Sequence, residues 1–131
     1  MAKLLTILNV LIIPKSYNKP YSDVLHHSEI DCKCSRNSCH YTLASERALE
    51  GFHTIRIGFG RPLYINSFFR CQAHNHDVGG VDQSSHTTGN SFDISTKRFS
   101  KEEKEHLIAL ADATCDFVKV YDTFIHCQFN E

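Results

Sequence analysis

The chain has 131 residues, which suits one domain with a buried core and leaves little room for a second. Apolar residues make up 41% of it and charged residues 22%, with only 6 glycines and 3 prolines, which excludes a disordered, collagen-like or low-complexity chain. The formal net charge is −1, so the chain has no excess of basic residues, which argues against nucleic acid as a partner.

The first half of the chain combines an apolar run, a cysteine-rich loop and an amphipathic pattern. The apolar run is too short for a membrane span, which needs about 20 residues, and no signal-peptide cleavage site follows it. Apolar residues at steps of three and four then indicate a helix. The predicted elements are a buried strand over residues 4–13, an irregular stretch over 14–28, the loop with Cys32, Cys34 and Cys39, a helix over 42–59, a strand over 63–65 and a short helix over 71–78.

The second half alternates polar loops with strands and one capped helix. Ser100 followed by Glu103 forms a capping-box pattern, which marks a helix N-terminus. The predicted elements are a polar loop over residues 81–91, a strand over 91–95, a helix from Ser100 to about 114, and a hairpin of strands 117–121 and 124–129 joined by Asp122-Thr123. This mixture without βαβ regularity predicts a single α+β domain, 1–131, of mainly antiparallel sheet with flanking helices.

Three residues in this half form a candidate metal site. His86 leaves a loop, Asp93 enters a strand, and His126 shares one face of the last strand with Phe124 and Gln128. Two imidazoles and a carboxylate suit Zn²⁺, and three protein ligands leave a fourth position for water, as in catalytic zinc sites. A loop histidine, a surface aspartate and a buried core histidine are the simpler interpretations of the same residues.

The motifs around these residues occur in a fixed order. They are S-F-F-R-C at 67–71, H-N at 74–75, V-G-G at 78–80, S-S-H-T-T-G at 84–89, F-D-I at 92–94 and Y-D-T-F-I-H at 121–126. This string resembles the zinc D-Ala-D-Ala carboxypeptidase family, peptidoglycan peptidases that include phage endolysins and share the hedgehog/DD-peptidase fold. The resemblance divides the chain into a family core, 42–131, and an N-terminal strand and cysteine-rich loop, 1–41.

The resemblance implies roles for five residues. His86, Asp93 and His126 correspond to the zinc ligands of the family. Arg70 corresponds to the arginine that binds the substrate or stabilises the developing oxyanion, a task that suits its five fixed donors. Ser84, two residues before the first ligand, corresponds to a serine that orients the loop.

The chain also departs from the family pattern. Many members carry a glutamate as general base three residues before the last histidine, where this chain has Thr123. Asp122 is the nearest carboxylate and the candidate for proton transfer, although a turn aspartate has an equally good structural task. Gln128 stands where compact relatives often have aspartate. Loss of the base could lower the rate about 10²–10⁴-fold.

The cysteines leave three outcomes open. Cys32, Cys34 and Cys39 with the distant Cys71 could hold a second, structural zinc ion, although the spacing is not the usual paired Cys-x₂-Cys. A disulfide from this loop to Cys71 and simple reduced thiols are the alternatives.

Taken with the resemblance, the residues indicate a zinc-dependent metallopeptidase. We expect hydrolysis of peptidoglycan stem or cross-link peptides, of the D,D-carboxypeptidase or L,D-endopeptidase type, by an endolysin-like protein. The resemblance implies a phage-encoded protein acting at the bacterial cell wall, with peptidoglycan peptides and virion proteins as partners. The alternative is a catalytically weak or inactive zinc-binding module on the same fold, with a structural or wall-binding task in a virion.

Overall fold

The structure is a computed structural model, and it describes residues 5–7, 9–14, 20–34, 39–81 and 84–130. The helices of these residues are α1 His27–Ile30, α2 Glu46–Phe59, α3 Gln72–Asp77 and α4 Lys101–Thr114, with a 3₁₀ turn at Ser85–Thr88. The strands are β1 Leu5–Ile7, β2 Val10–Pro14, β3 Pro20–Ser22, β4 Leu25–His26, β5 Tyr41–Ser45, β6 Ile65–Ser67, β7 Ser91–Ser95, β8 Phe117–Val120 and β9 Phe124–Gln128. All their pairings are antiparallel, so the α+β class is confirmed.

A four-stranded sheet of order β6-β7-β9-β8 forms the centre of the fold, beside a three-stranded sheet β1-β2-β5 and the pair β3-β4. One face of the central sheet packs on α2 and α4. Phe52 of α2 meets Phe92 of β7 edge to face, with ring centroids 5.6 Å apart. Leu107 and Ala111 of α4 are buried in the same core. Because side chains alternate along a strand, the polar residues of β7 and β9 lie on the opposite face.

The N-terminal apolar run forms a hairpin, so the prediction of one strand over residues 4–13 is wrong. Ile7 pairs with Val10, and the chain reverses between β1 and β2. Asn9 has a φ of 63°, a conformation that asparagine tolerates better than most residues. A continuous apolar run gives no sign of such a turn. Residues 4 and 8 lie outside the described residues.

Helix α2 begins later than predicted. The segment assigned to its first turn, residues 42–45, is part of β5 and pairs with β2. The helix begins after Ser45, whose side chain accepts a hydrogen bond from the Ala48 N–H, and it ends before Gly60, which has a φ of 76°. Pairing in the sheet therefore outweighs the helical spacing of the apolar residues.

The remaining predictions match more closely. Strand β7 and the short helix α3 lie where predicted, α4 follows the capping box of Ser100 and Glu103, and β8 and β9 form the hairpin. Strand β6 lies two residues later than predicted. The stretch 14–28 contains β3, β4 and the start of α1, with 15–19 outside the described residues, as are 82–83 of the polar loop. Within the described residues no helix is long and apolar enough to cross a membrane.

Candidate metal centre

The register of β7 and β9 brings two of the candidate ligands together. Asp93 pairs directly with His126 across the two antiparallel strands, which puts both side chains on the same face of the sheet. Their neighbours Phe92 and Ile125 point to the other face and are fully buried in the core. The alternation of apolar and polar residues in both strands therefore positions the pair.

The 3₁₀ turn at Ser85–Thr88 delivers the third candidate, His86, whose side chain is 1% exposed. The Ser84 hydroxyl accepts a hydrogen bond from the His86 N–H at 3.3 Å, which agrees with an orienting role for that serine. Gly89 ends the turn with a φ of 74° and lies against the backbone of β5, where a Cβ would overlap the Leu43 carbonyl oxygen. The turn packs this closely because glycine has no side chain.

The three side chains meet at one carboxylate oxygen. The Nδ1 atom of His126 lies 2.9 Å from Oδ1 of Asp93, and the Nε2 atom of His86 lies 3.2 Å from the same oxygen. The ligand atoms of all three residues lie within 4.8 Å of one another. The structure thus brings together His86, Asp93 and His126, which the sequence analysis singled out as a set.

The other nitrogen of His86 fixes which proton the ring carries. Its Nδ1 donates a hydrogen bond to the Phe68 carbonyl oxygen at 2.7 Å, so in the neutral ring the lone pair is on Nε2. That Nε2 atom is buried and has no hydrogen-bond partner among the described residues, although it faces the Asp93 carboxylate. Two acceptors that face each other in a buried site require a cation or a proton between them.

The ring of His126 is held in a corresponding way. Its Nε2 lies 3.2 Å from the Oε1 atom of Gln128, and the same oxygen accepts a hydrogen bond from the Ser85 hydroxyl at 3.1 Å. A proton on Nε2 that donates to Gln128 leaves the Nδ1 lone pair directed at Asp93. Metal-ligating histidines are commonly oriented by such an acceptor on the second nitrogen. Gln128 stands where the family pattern has aspartate, and its amide oxygen also supplies an acceptor for His126.

The electrostatics of the pair match this arrangement. Burial raises the pKa of Asp93, but the hydrogen bonds that protonated His126 and His86 rings would donate to it, and their charges, outweigh burial and lower the pKa overall. Burial lowers the pKa of His126, but the hydrogen bond that a protonated Nδ1 would donate to Asp93, and the charge of Asp93, outweigh burial and raise the pKa. The site therefore favours an ionised carboxylate with positive charge beside it.

Arg70 lies at the edge of this cluster. Its backbone N–H donates to the His86 carbonyl oxygen at 3.1 Å, which ties the arginine to the 3₁₀ turn. Burial lowers the pKa of its guanidinium, and the charge of Asp93 acts in the opposite direction. The Nε–H is buried and has no acceptor among the described residues. Arg70 thus presents an unused donor close to the three candidate ligands.

Asp122 does not join the cluster. It lies exposed in the turn between β8 and β9, and its carbonyl oxygen accepts a 3.4 Å hydrogen bond from Lys104. Its role in proton transfer stays a prediction. The residue opposite His126 on β8 is Lys119, and the ring of Phe117 lies 6.4 Å from the His126 ring. Neither residue was among the predicted site residues, although alternation along the strand could have indicated both.

Comparison with known proteins identifies the family of the chain. A family model described as Peptidase M15 matches residues 23–128. The chain belongs to the peptidase M15 family. Peptidases M15 are zinc-dependent and, as a family, act on peptidoglycan-type substrates. Two imidazole nitrogens that lie together with a carboxylate are suitable ligands for zinc, the metal of this family. No curated protein matches the chain.

Proposed function

We propose that the chain is a zinc peptidase that hydrolyses peptidoglycan stem or cross-link peptides, with His86, Asp93 and His126 as its zinc ligands. The observation that supports this proposal is the set of two fixed imidazoles directed at one carboxylate oxygen. Each imidazole donates its other N–H to an oxygen, Phe68 O for one and Gln128 Oε1 for the other. Such preorganisation is typical of metal ligands.

A zinc ion held by His86, Asp93 and His126 would supply a bound water of lowered pKa, about 7, and a Lewis acid for the scissile carbonyl. Arg70 offers the complementary charge. Its guanidinium binds either a carboxylate of the stem peptide or the oxyanion that develops on the carbonyl, because its planar donors match both. The bond from the Arg70 N–H to the His86 carbonyl oxygen fixes the backbone of Arg70 beside the turn that carries His86.

Proton transfer in this proposal falls to Asp122, the carboxylate nearest in sequence to the position of the family glutamate. The test is Asp122→Asn, which removes the base and keeps the size of the side chain. We expect kcat to fall about 10²–10⁴-fold with zinc content unchanged. Asp112→Asn is the matched control, because Asp112 is also exposed but lies on α4, which packs on the other face of the sheet.

The proposed activity itself is tested on isolated sacculi with purified, zinc-loaded protein. We expect release of peptides or free amino groups from the wild type and none from His86→Ala, with circular dichroism showing that the variant is folded. Failure of the wild type to release either product in the presence of zinc would refute the peptidase activity. The products also distinguish D,D-carboxypeptidase from L,D-endopeptidase cleavage.

A second candidate function is a zinc-binding module with little or no turnover. It is favoured by Thr123 and Gln128, which replace carboxylates of the family pattern, and by the described residues, which add no further carboxylate to the cluster of three. A protein that binds zinc and sacculi but releases no product would support this function. For either candidate function, we also propose an endolysin-like task in a phage, with virion proteins as partners. This part rests on the resemblance alone.

A further inference from the structure

Four cysteines form a second cluster outside the candidate metal centre. The Sγ atoms of Cys32, Cys34, Cys39 and Cys71 all lie within 4.8 Å of one another. They come from two places in the chain, since three belong to the segment before β5 and the fourth precedes α3. We propose that these four residues, here named the thiol cluster, bind a structural zinc ion.

The spacing of the sulfurs supports a metal over a disulfide. The Sγ atom of Cys71 lies 3.7 Å from that of Cys32 and 3.8 Å from that of Cys34. Four sulfurs at the corners of a tetrahedron with zinc–sulfur distances of about 2.3 Å are separated by about 3.8 Å. A disulfide bond needs about 2.05 Å. The observed distances match edges of the zinc tetrahedron.

Two backbone N–H groups donate hydrogen bonds to sulfurs of the thiol cluster. The Cys71 N–H donates to Sγ of Cys32 and the His74 N–H donates to Sγ of Cys71, each at 3.4 Å. Donors of this kind orient thiolate ligands and reduce their charge, as outer-shell groups do at metal sites. Arg70, which directly precedes Cys71 in the chain, adds a cation to this segment.

Burial indicates a closed site. Cys32 is 4% exposed and Cys39 is 8% exposed, and both pack with Phe69 in a cluster separate from the main hydrophobic core. A few sulfurs and one ring bury too little apolar surface to hold a loop by themselves. Four cysteine ligands would fill the coordination sphere of zinc, which is the arrangement of structural sites.

The thiol cluster adjoins the segment that positions the candidate metal centre. Cys71 directly follows Arg70, whose N–H donates to the His86 carbonyl. A zinc ion in the thiol cluster would fix this segment to the loop before β5. It would therefore hold Arg70 and the His86 turn in place without contacting the substrate.

The test is zinc content in the double variant His86→Ala/His126→Ala, which removes the candidate centre and leaves the thiol cluster intact. We expect two zinc ions per chain in the wild type and one in the double variant, purified under reducing conditions. Cobalt substituted into the double variant should show intense thiolate charge-transfer bands, and X-ray absorption of its zinc form should show sulfur neighbours at about 2.3 Å.

Cysteine variants complete the test. Cys32→Ser/Cys34→Ser should lose the cobalt–thiolate bands, whereas Cys115→Ser should keep them, because Cys115 hydrogen-bonds Cys127 instead. A folded double histidine variant without zinc, cobalt spectra without thiolate bands, or a disulfide to Cys71 in the freshly isolated protein would overturn the proposal. The double histidine variant separates this result from the peptidase proposal, because it lacks two of the three residues that the peptidase needs.

Discussion

Gly89 and Gly79 offer a direct test of how tightly the His86 turn is packed. Both glycines have a φ of 74°, but a Cβ at position 79 would meet nothing within 4 Å. A Cβ at position 89 would overlap the Leu43 carbonyl oxygen and lie 2.8 Å from the Cα atom of Ala44. Alanine at either position therefore carries the same backbone strain, and only one of the two substitutions also moves a strand.

The magnitudes follow from these contacts. Left-handed backbone costs a residue other than glycine roughly 1–2 kcal/mol, which is the whole expected loss for Gly79→Ala. Gly89→Ala also pushes apart the turn and β5, which breaks the 3.0 Å bond from the Ser45 N–H to the Gly89 carbonyl, worth about 1 kcal/mol. We expect it to lower the free energy of unfolding by at least about 2–3 kcal/mol.

Urea denaturation of the two variants measures the loss of stability, and zinc competition with a chromophoric chelator measures the site. Gly79→Ala should keep the wild-type zinc affinity of the His86, Asp93 and His126 site. Gly89→Ala should lower that affinity, because the displaced turn carries His86 away from Asp93. Equal destabilisation and equal zinc affinity in the two variants would refute the close packing of the turn against β5.

Other substitutions and conditions test the support of the site. Gln128→Leu should lower zinc affinity about 10–100-fold, whereas Gln128→Glu, which keeps an acceptor for His126, should not, as chelator competition will show. In protein stripped of metal, the raised pKa of His126 stabilises the fold below about pH 6.5, and this stabilisation is lost as the pH rises through the folded pKa. The lowered pKa of Asp93 stabilises the fold above about pH 3.9, and this stabilisation is lost as the pH falls through the folded pKa. Thermal denaturation should therefore show a larger gain from added zinc at pH 8 than at pH 5.5, and an equal gain would contradict this. Ser100→Ala should cost about 1 kcal/mol through the lost helix cap and leave zinc content unchanged, and altered zinc content would indicate a wider structural effect.

The three residues that the sequence singled out as a set lie together, whereas some elements of the fold around them differ from the prediction. Alternation placed His126 and Gln128 on one face of the last strand, and the capping box placed the start of α4, since both signals are local. The pairing of Asp93 with His126 depends on strand register, and a slip of one residue would turn His126 to the other face. No local pattern determines that register, so the convergence of the side chains could only be supposed.

The errors in the fold arose where contacts distant in sequence outweigh local pattern. Residues 42–45 continue the helical spacing of α2, yet they form β5 because β2 supplies a pairing partner. The reversal between β1 and β2 includes Asn9, which has a left-handed conformation within an apolar run. Neither case has a composition signal strong enough to decide it, because isolated helices and hairpins of this length are marginal in water.

A substitution near the site matters only where the site uses a side-chain atom of that residue and not a backbone atom. Phe68 serves the site through its carbonyl oxygen, which any residue supplies. Arg70 likewise fixes the His86 turn through its backbone N–H, and Cys71 continues the same segment into the thiol cluster. Thr123 is different, because a hydroxyl cannot replace the proton-accepting carboxylate that the family has there. Position 68 can therefore vary in its side chain and still hold His86, whereas Cys71 has to keep its sulfur for the proposed thiol cluster. In the proposed peptidase, turnover depends on whether another carboxylate, such as Asp122, takes the proton.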